Sequence, residues 1–197
     1  MRILSSLILA TTLVLGVTGV ASGQKRIVLS YDDPPRGDGQ LYSGDERTRQ
    51  LITVLDQVQS GPVLFFVTTQ GIETHKTGRE RLLAYAQAGH ILANHSHSHM
   101  WAHRTPAPDI LSDIDIAARY LEDLPNTRPW FRFPFLDEGR RPDHITALAE
   151  GLDARGLANG YVTVDTYDWH LEMRFQQAIR AGRTINPHAL GALYVRL

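Results

Sequence analysis

The chain has 197 residues, is 43% hydrophobic and 21% charged, and sets 20 Lys and Arg against 21 Asp and Glu. That length allows one domain with a full hydrophobic core, and the near-neutral balance leaves no electrostatic footprint for nucleic acid. There is no cysteine, so neither a disulfide nor a lipid-carrying thiol is available, and core packing must hold the fold.

Residues 1–23 differ from the rest: Arg2 precedes an apolar run from Ile3 to Val20, followed by Ala21-Ser22-Gly23. This pattern predicts a secretory signal peptide cleaved near Ser22 or Gly23, leaving a secreted or periplasmic domain over 24–197 with no stable membrane insertion. The run is nearly long enough to span a bilayer. Ser5, Ser6, Thr11, Thr12 and Thr18 dilute it, however, and small residues end it.

Beyond that segment, strand and helix patterns alternate. Ile27 to Tyr31 reads as a buried strand that stops at Asp32-Asp33-Pro34-Pro35. Residues 45–59 carry a helical stripe of Leu51, Ile52, Leu55 and Val58, and Gly61-Pro62 separates them from an apolar strand over 63–67. A Gly- and Thr-rich loop precedes a helix over 79–88, and His90 to Ala93 is a strand running into a histidine cluster. Residues 108–124 form a third helix, 129–135 a short strand entering a loop, 142–157 a fourth helix and 160–164 a further strand. Residues 172–197 are helical in pattern, with an interruption near Asn186-Pro187. Such alternation predicts an α/β fold with parallel strands, a barrel or an open sheet. The polar clusters all follow strands, and in parallel α/β folds the C-terminal strand ends carry the active site.

Asn94-His95-Ser96-His97-Ser98-His99 concentrates imidazoles, the commonest neutral metal ligands. On an extended strand His95 and His99 would lie about 13 Å apart, too far for one ion. A helical turn after Asn94 would bring them to about 6 Å and swing His97 away. His99 and His103 share that spacing, so two pairs compete. A catalytic divalent ion needs about three protein ligands, and one of Asp32 and Asp33 is the economical third, with the other free to act as a base. Arg132 lies among aromatics and prolines, where a guanidinium needs a carboxylate partner, and Asp165 and Asp168 are the candidates. Trp130, Phe133, Phe135, Tyr167 and Trp169 are expected to wall the cleft, with faces suited to sugar rings.

Ser30-Tyr31-Asp32-Asp33, His95-Ser96-His97-Ser98-His99, Arg132-Phe133-Pro134-Phe135 and Asp165-Thr166-Tyr167-Asp168-Trp169 together resemble, in order and spacing, four motifs of the NodB-type polysaccharide deacetylases, carbohydrate esterase family four. The resemblance spans roughly 26–170. It implies a distorted (β/α) barrel holding a divalent metal, usually Zn2+, on Asp33, His95 and His99, with Asp32 as the general base. It further implies that Arg132 orients Asp32, that an aspartate within Asp165 to Asp168, Asp168 first, partners Arg132, and that the Phe135 N–H is an oxyanion donor. The substrate implied is an acetylated carbohydrate contacted by Tyr167, Trp169 and Trp130. In the implied reaction metal-bound water attacks an N- or O-acetyl carbonyl and acetate leaves.

Two departures accompany the resemblance. Pro34 stands where the family usually has Gly, and it biases Asp33 toward an extended backbone. The family's late Leu-x-His motif, whose histidine protonates the leaving group, is absent, so the barrel is expected to be incomplete at its C-terminus. Loss of a general acid typically costs about 10²- to 10⁴-fold in rate, and the alternative reading is a non-catalytic metal- or glycan-binding remnant. A histidine-rich metal buffer would leave Asp32, Arg132 and Asp168 unexplained. Nothing in the pattern specifies an oligomeric state.

Overall fold

The computed structural model describes residues 26–196, so the expected signal segment 1–23 lies outside the described residues. Five strands, β1 (Ser30–Asp32), β2 (Leu64–Val67), β3 (Ile91–Asn94), β4 (Thr127–Phe131) and β5 (Ala158–Asn159), form one sheet in the order β1-β2-β3-β4-β5. Every pairing is parallel. Parallel neighbours need long crossovers. These are supplied by α1 (Gly44–Gln57), α2 (Gln70–Thr74) and α3 (Gly78–Gln87), then α4 (Ala107–Leu121) and α5 (Pro142–Asp153), with α6 (Asp168–Arg180) and α7 (Pro187–Tyr194) following β5. Consecutive strand order is the winding of a barrel, but among the described residues β1 and β5 do not pair, and the sheet remains open.

The period-two alternation of the strands sorts their side chains into two cores. Phe65, Val67 and Leu92 pack outward against Leu55 of α1, Leu82 and Tyr85 of α3 and Leu121 of α4. Leu64, Phe66 and Ala93 fill the opposite face. A third cluster joins Phe131 of β4 to Ile110 and Ile114 of α4 and to Leu148 and Leu152 of α5. Both faces of β2 are thus buried, which is why it reads as an unbroken apolar run. Local signals agree with this packing: Ser43 Oγ accepts the Glu46 N–H at 3.1 Å, and Asp45 and Glu46 sit in the first turn of α1.

Three elements depart from the sequence expectation. The first strand begins only at Ser30, leaving Ile27 87% and Val28 77% exposed, because an edge strand has one partner to pair with and β2 starts at Leu64. The strand expected over 160–164 is absent; β5 ends at Asn159, and Tyr161 and Val164 are 71% and 79% exposed. An apolar, β-branched run favours extension but becomes a strand only where a neighbour offers its ladder. Conversely, the loop after β2 contains α2. Gly71 permits its close approach to the β1 exit, since a Cβ there would stand 2.5 Å from the Pro35 carbonyl oxygen.

Leu92 is fully buried between the helices and the sheet whereas Val28 is exposed. Leu92→Ala is therefore expected to lower stability by about 2–5 kcal/mol, and Val28→Ala by no more than about 0.5 kcal/mol. Urea unfolding of the two variants measures both.

Candidate active site

The C-terminal end of β1 delivers two consecutive carboxylates. Asp32 closes the strand, and Asp33 adopts φ 69°, while its N–H donates to the Phe66 carbonyl at 3.0 Å and the Pro34 carbonyl accepts from the Thr68 N–H at 3.0 Å. Asp33 is therefore left-handed rather than extended. Aspartate tolerates this region better than most residues, and the hydrogen bonds to the β2 exit outweigh the bias from Pro34.

The C-terminal end of β3 delivers the histidines, but not through the expected helical turn. Ser96 and His99 have φ 69° and 57°, so the chain folds back through left-handed residues. Side chains shape this turn. Asn94 Oδ1 accepts from the Ser96 N–H at 2.7 Å, and Ser96 Oγ accepts from the His99 N–H at 3.0 Å. Asp113 of α4, buried on its inner face, accepts from the N–H groups of His97 and Ser98 at 2.9 and 3.0 Å and from Ser98 Oγ at 2.7 Å. The result still places the rings of His95 and His99 5.1 Å apart. His97 turns away, with Nδ1 2.9 Å from Thr69 Oγ1 and its ring stacked on Tyr120. His103 is held by Asp137 at 2.8 Å, so the competing pair His99/His103 does not form.

Asp33, His95 and His99 then converge. Asp33 Oδ1 is 3.0 Å from His99 Nε2 and 3.6 Å from His95 Nε2, and one ligand atom from each residue lies within 4.8 Å of the others. His95 is buried and donates its Nδ1–H to the Arg132 carbonyl at 2.8 Å, which leaves the Nε2 lone pair aimed at Asp33 and His99. Two imidazoles and a carboxylate, with one imidazole fixed through its far nitrogen, are a donor set that fits a zinc-like divalent ion. Burial pulls the His95 pKa below the ordinary imidazole value; Asp32 and Asp33 oppose that and His99 reinforces it. Burial alone would raise Asp33, but its hydrogen bond to His99 and the charges of His99, His95 and Arg36 hold the carboxyl below the usual carboxylate range.

Arg132, at the exit of β4, is only 5% exposed. Its Nη1 donates to Asp32 Oδ1 at 2.5 Å and Ser30 Oγ at 2.9 Å, its Nε donates to the Gly160 carbonyl at 2.8 Å, and the guanidinium lies 3.8 Å from the centre of the Phe66 ring. The carboxylate partner of Arg132 is thus Asp32 itself, not Asp165 or Asp168. Both of those are exposed, and Asp168 begins α6 with its carboxylate accepting from Thr166 Oγ1. A buried guanidinium takes the acceptors that converge on it, and these come from β1 and the β5 exit.

The aromatic surroundings also differ from expectation. Trp101 and Phe135 stack face to face, centroids 3.7 Å apart and planes 2° apart, and Phe135 meets the edge of His99 at 4.4 Å. Phe135 has φ 59°. Phe133 is buried against Phe131 in the core, Tyr167 and Trp169 pair with each other at the start of α6, and Trp130 lies on β4. Among the described residues, Trp130, Tyr167 and Trp169 make no polar or ring contact with Asp33, His95 or His99. Sequence reading missed Trp101, Asn94 and Asp113. Only Asp113 left a signal, as a carboxylate between Ile110 and Ile114 on the apolar stripe of a helix.

Comparison with known proteins identifies the fold and the family. Among curated proteins no relative matches the sequence. Solved structures with the same fold include a family 4 carbohydrate esterase from Streptomyces lividans, 21% identical with a TM-score of 0.57 over 73% of this chain and 66% of that one. A chitin deacetylase from Colletotrichum lindemuthianum is 20% identical with a TM-score of 0.58 over 73% and 57% of the two chains. The peptidoglycan deacetylase of Bacillus subtilis is 24% identical with a TM-score of 0.55 over 75% and 63%. The chain thus spans 57% to 66% of the length of these proteins. The polysaccharide deacetylase family model matches residues 19–155, more than half the chain and a span that contains Asp32, Asp33, His95, His99 and Arg132. By that match, and by a parallel α/β sheet whose strand ends gather those residues, the chain belongs to the polysaccharide deacetylase family.

Proposed function

We propose that the chain is a metal-dependent hydrolase that removes N- or O-acetyl groups from a polysaccharide, acting outside the cytoplasm after loss of residues 1–23. The observation that carries this reading is the convergence of Asp33, His95 and His99 beside a carboxylate, Asp32, that Arg132 holds by one oxygen. Asp33, His95 and His99 would hold the ion, for which Zn2+ is our assignment. A bound divalent ion supplies Lewis acidity, lowering the pKa of water and polarising an acetyl carbonyl.

The remaining work falls to side chains. Asp32 presents its two oxygens differently: Oδ1 accepts from Arg132, and Oδ2 faces the donor set, 3.8 Å from His95 Nε2. Oδ2 is therefore the atom that takes the proton from the attacking water, while the Arg132 contact fixes its direction. The Phe135 N–H is assigned to the developing oxyanion. The stacked pair Trp101 and Phe135, beside His99, offers a sugar its exposed apolar edges.

His95→Ala or His99→Ala is expected to abolish stoichiometric metal in the purified protein, and His97→Ala to retain it; metal analysis of the three variants would refute the ligand assignment if all lost metal equally. Asp32→Asn should keep the metal and lower acetate release by about 10²- to 10⁴-fold. Protons compete with metal at these ligands. His95 and His90 are both held below the ordinary value of 6.5 by burial, so the unfolded chain takes up protons first as pH falls. Their contribution to stability is whole above that value and is lost as pH drops through the lowered folded pKa; Asp33 adds its loss only below 3.8. The urea midpoint of metal-free protein should fall between about pH 7.5 and 5.5, and His95→Gln should flatten part of that slope.

A further inference from the structure

A second site lies next to the aromatic pair. A cavity of about 310 Å³ is lined by Arg104, Arg140 and Arg141 together with His103 and His144, and no carboxylate lines it. The nearby acids are already engaged. Asp137 accepts from the His103 N–H, His103 Nδ1 and the Gly139 N–H, and Asp143 is paired with Arg141 at 2.8 Å. Arg104 uses Nε toward His103 Nε2, and among the described residues its Nη groups and the whole Arg140 guanidinium have no protein acceptor. His144 Nε2 is buried without a hydrogen-bond partner. Three guanidiniums lining one cavity with no carboxylate in its walls, two of them with N–H donors that meet no protein acceptor among the described residues, form a site suited to an oxyanion. The chain as a whole is close to neutral, so this is a local concentration of positive charge and not a general basic surface.

The cavity is joined to the proposed catalytic residues by direct contacts. Phe135 touches His99 at 4.4 Å, Trp101 stacks on Phe135 at 3.7 Å, and the Arg104 guanidinium lies 5.2 Å from the Trp101 ring centre. Arg104, Trp101 and Phe135 thus form one unbroken line of contacts from the cavity to His99, along which an extended glycan can run.

We propose that this cavity is an anion subsite that selects an acidic acetylated glycan, seating a sugar carboxylate or a glycan-borne phosphate ester on Arg104 and Arg140. The inference rests on the deacetylase reading for the identity of the glycan but not for the existence of the subsite, so binding and turnover are measured separately. The test titrates the full chain with three acetylated oligosaccharides of equal length: one bearing uronate carboxylates, its carboxyl-reduced neutral counterpart, and one bearing phosphate esters. At least one acidic oligosaccharide should bind about tenfold or more tighter than the neutral one, as charge-assisted contacts to Arg imply, and the preferred one identifies the anion. The double variant Arg104→Gln/Arg140→Gln should lose that preference while keeping the metal content and circular dichroism of the parent. Equal binding of all three, binding of none, or a preference that survives in the variant would overturn the subsite. Preference without acetate release would leave the subsite standing and remove the deacetylase reading.

Discussion

The guanidinium of Arg132 is the interaction on which the rest of the site depends. A buried charge must be surrounded by acceptors, and removal of one partner from such an arrangement typically costs about 3–5 kcal/mol. Here the acceptors are Asp32 and Ser30 from β1 and the Gly160 carbonyl beyond β5, with the Phe66 ring of β2 beneath. The same residue's carbonyl receives the His95 Nδ1–H. One residue therefore draws together the exits of four strands, fixes one oxygen of the proposed base and sets the tautomer of a candidate metal ligand.

Around that node the backbone does what regular structure cannot. Asp33, Ser96, His99 and Phe135 all have positive φ without being glycine. Residues in this region persist where surrounding contacts over-determine them, and they gather at functional sites. For Asp33 the surroundings are hydrogen bonds to the β2 exit; for Ser96 and His99 they are the side chains of Asn94, Ser96 and Asp113; for Phe135 they are the stack with Trp101 and the edge of His99. The left-handed turn brings two histidines four residues apart to one point, as a helical turn would have done, but it leaves His97 free to pack on Thr69 and Tyr120.

The buried elements were legible in order along the chain. Strands β2 and β3 and helices α1, α3, α4 and α5 lie where apolar periodicity put them, because each buries a stripe or a whole run that no loop could hide. Elements on the rim were not legible. The stretch 160–164 has strand composition but no ladder to join, and α2 is a short helix whose course is set by its closeness to Pro35. Among candidate site residues, Asp32, Asp33, His95, His99 and Arg132 could be singled out because charged or imidazole groups at strand exits stand out against the core. Trp101 could not, since an aromatic in a loop has the same sequence appearance whether it lines a site or not.

The sequence by itself determined the parallel α/β class, the placement of polar clusters at strand ends and the residue types available for metal and proton chemistry, because hydrophobic periodicity and side-chain chemistry are local properties. Tertiary structure alone decided which of those residues meet. That Arg132 pairs with Asp32 and not with Asp168, that His99 turns to His95 and not to His103, and that Arg104 shares one open cavity with Arg140 and Arg141 all follow from the packing of segments distant in sequence. Spacing along the chain measures none of those separations, since each depends on how the sheet twists and on which backbone groups the turns must satisfy.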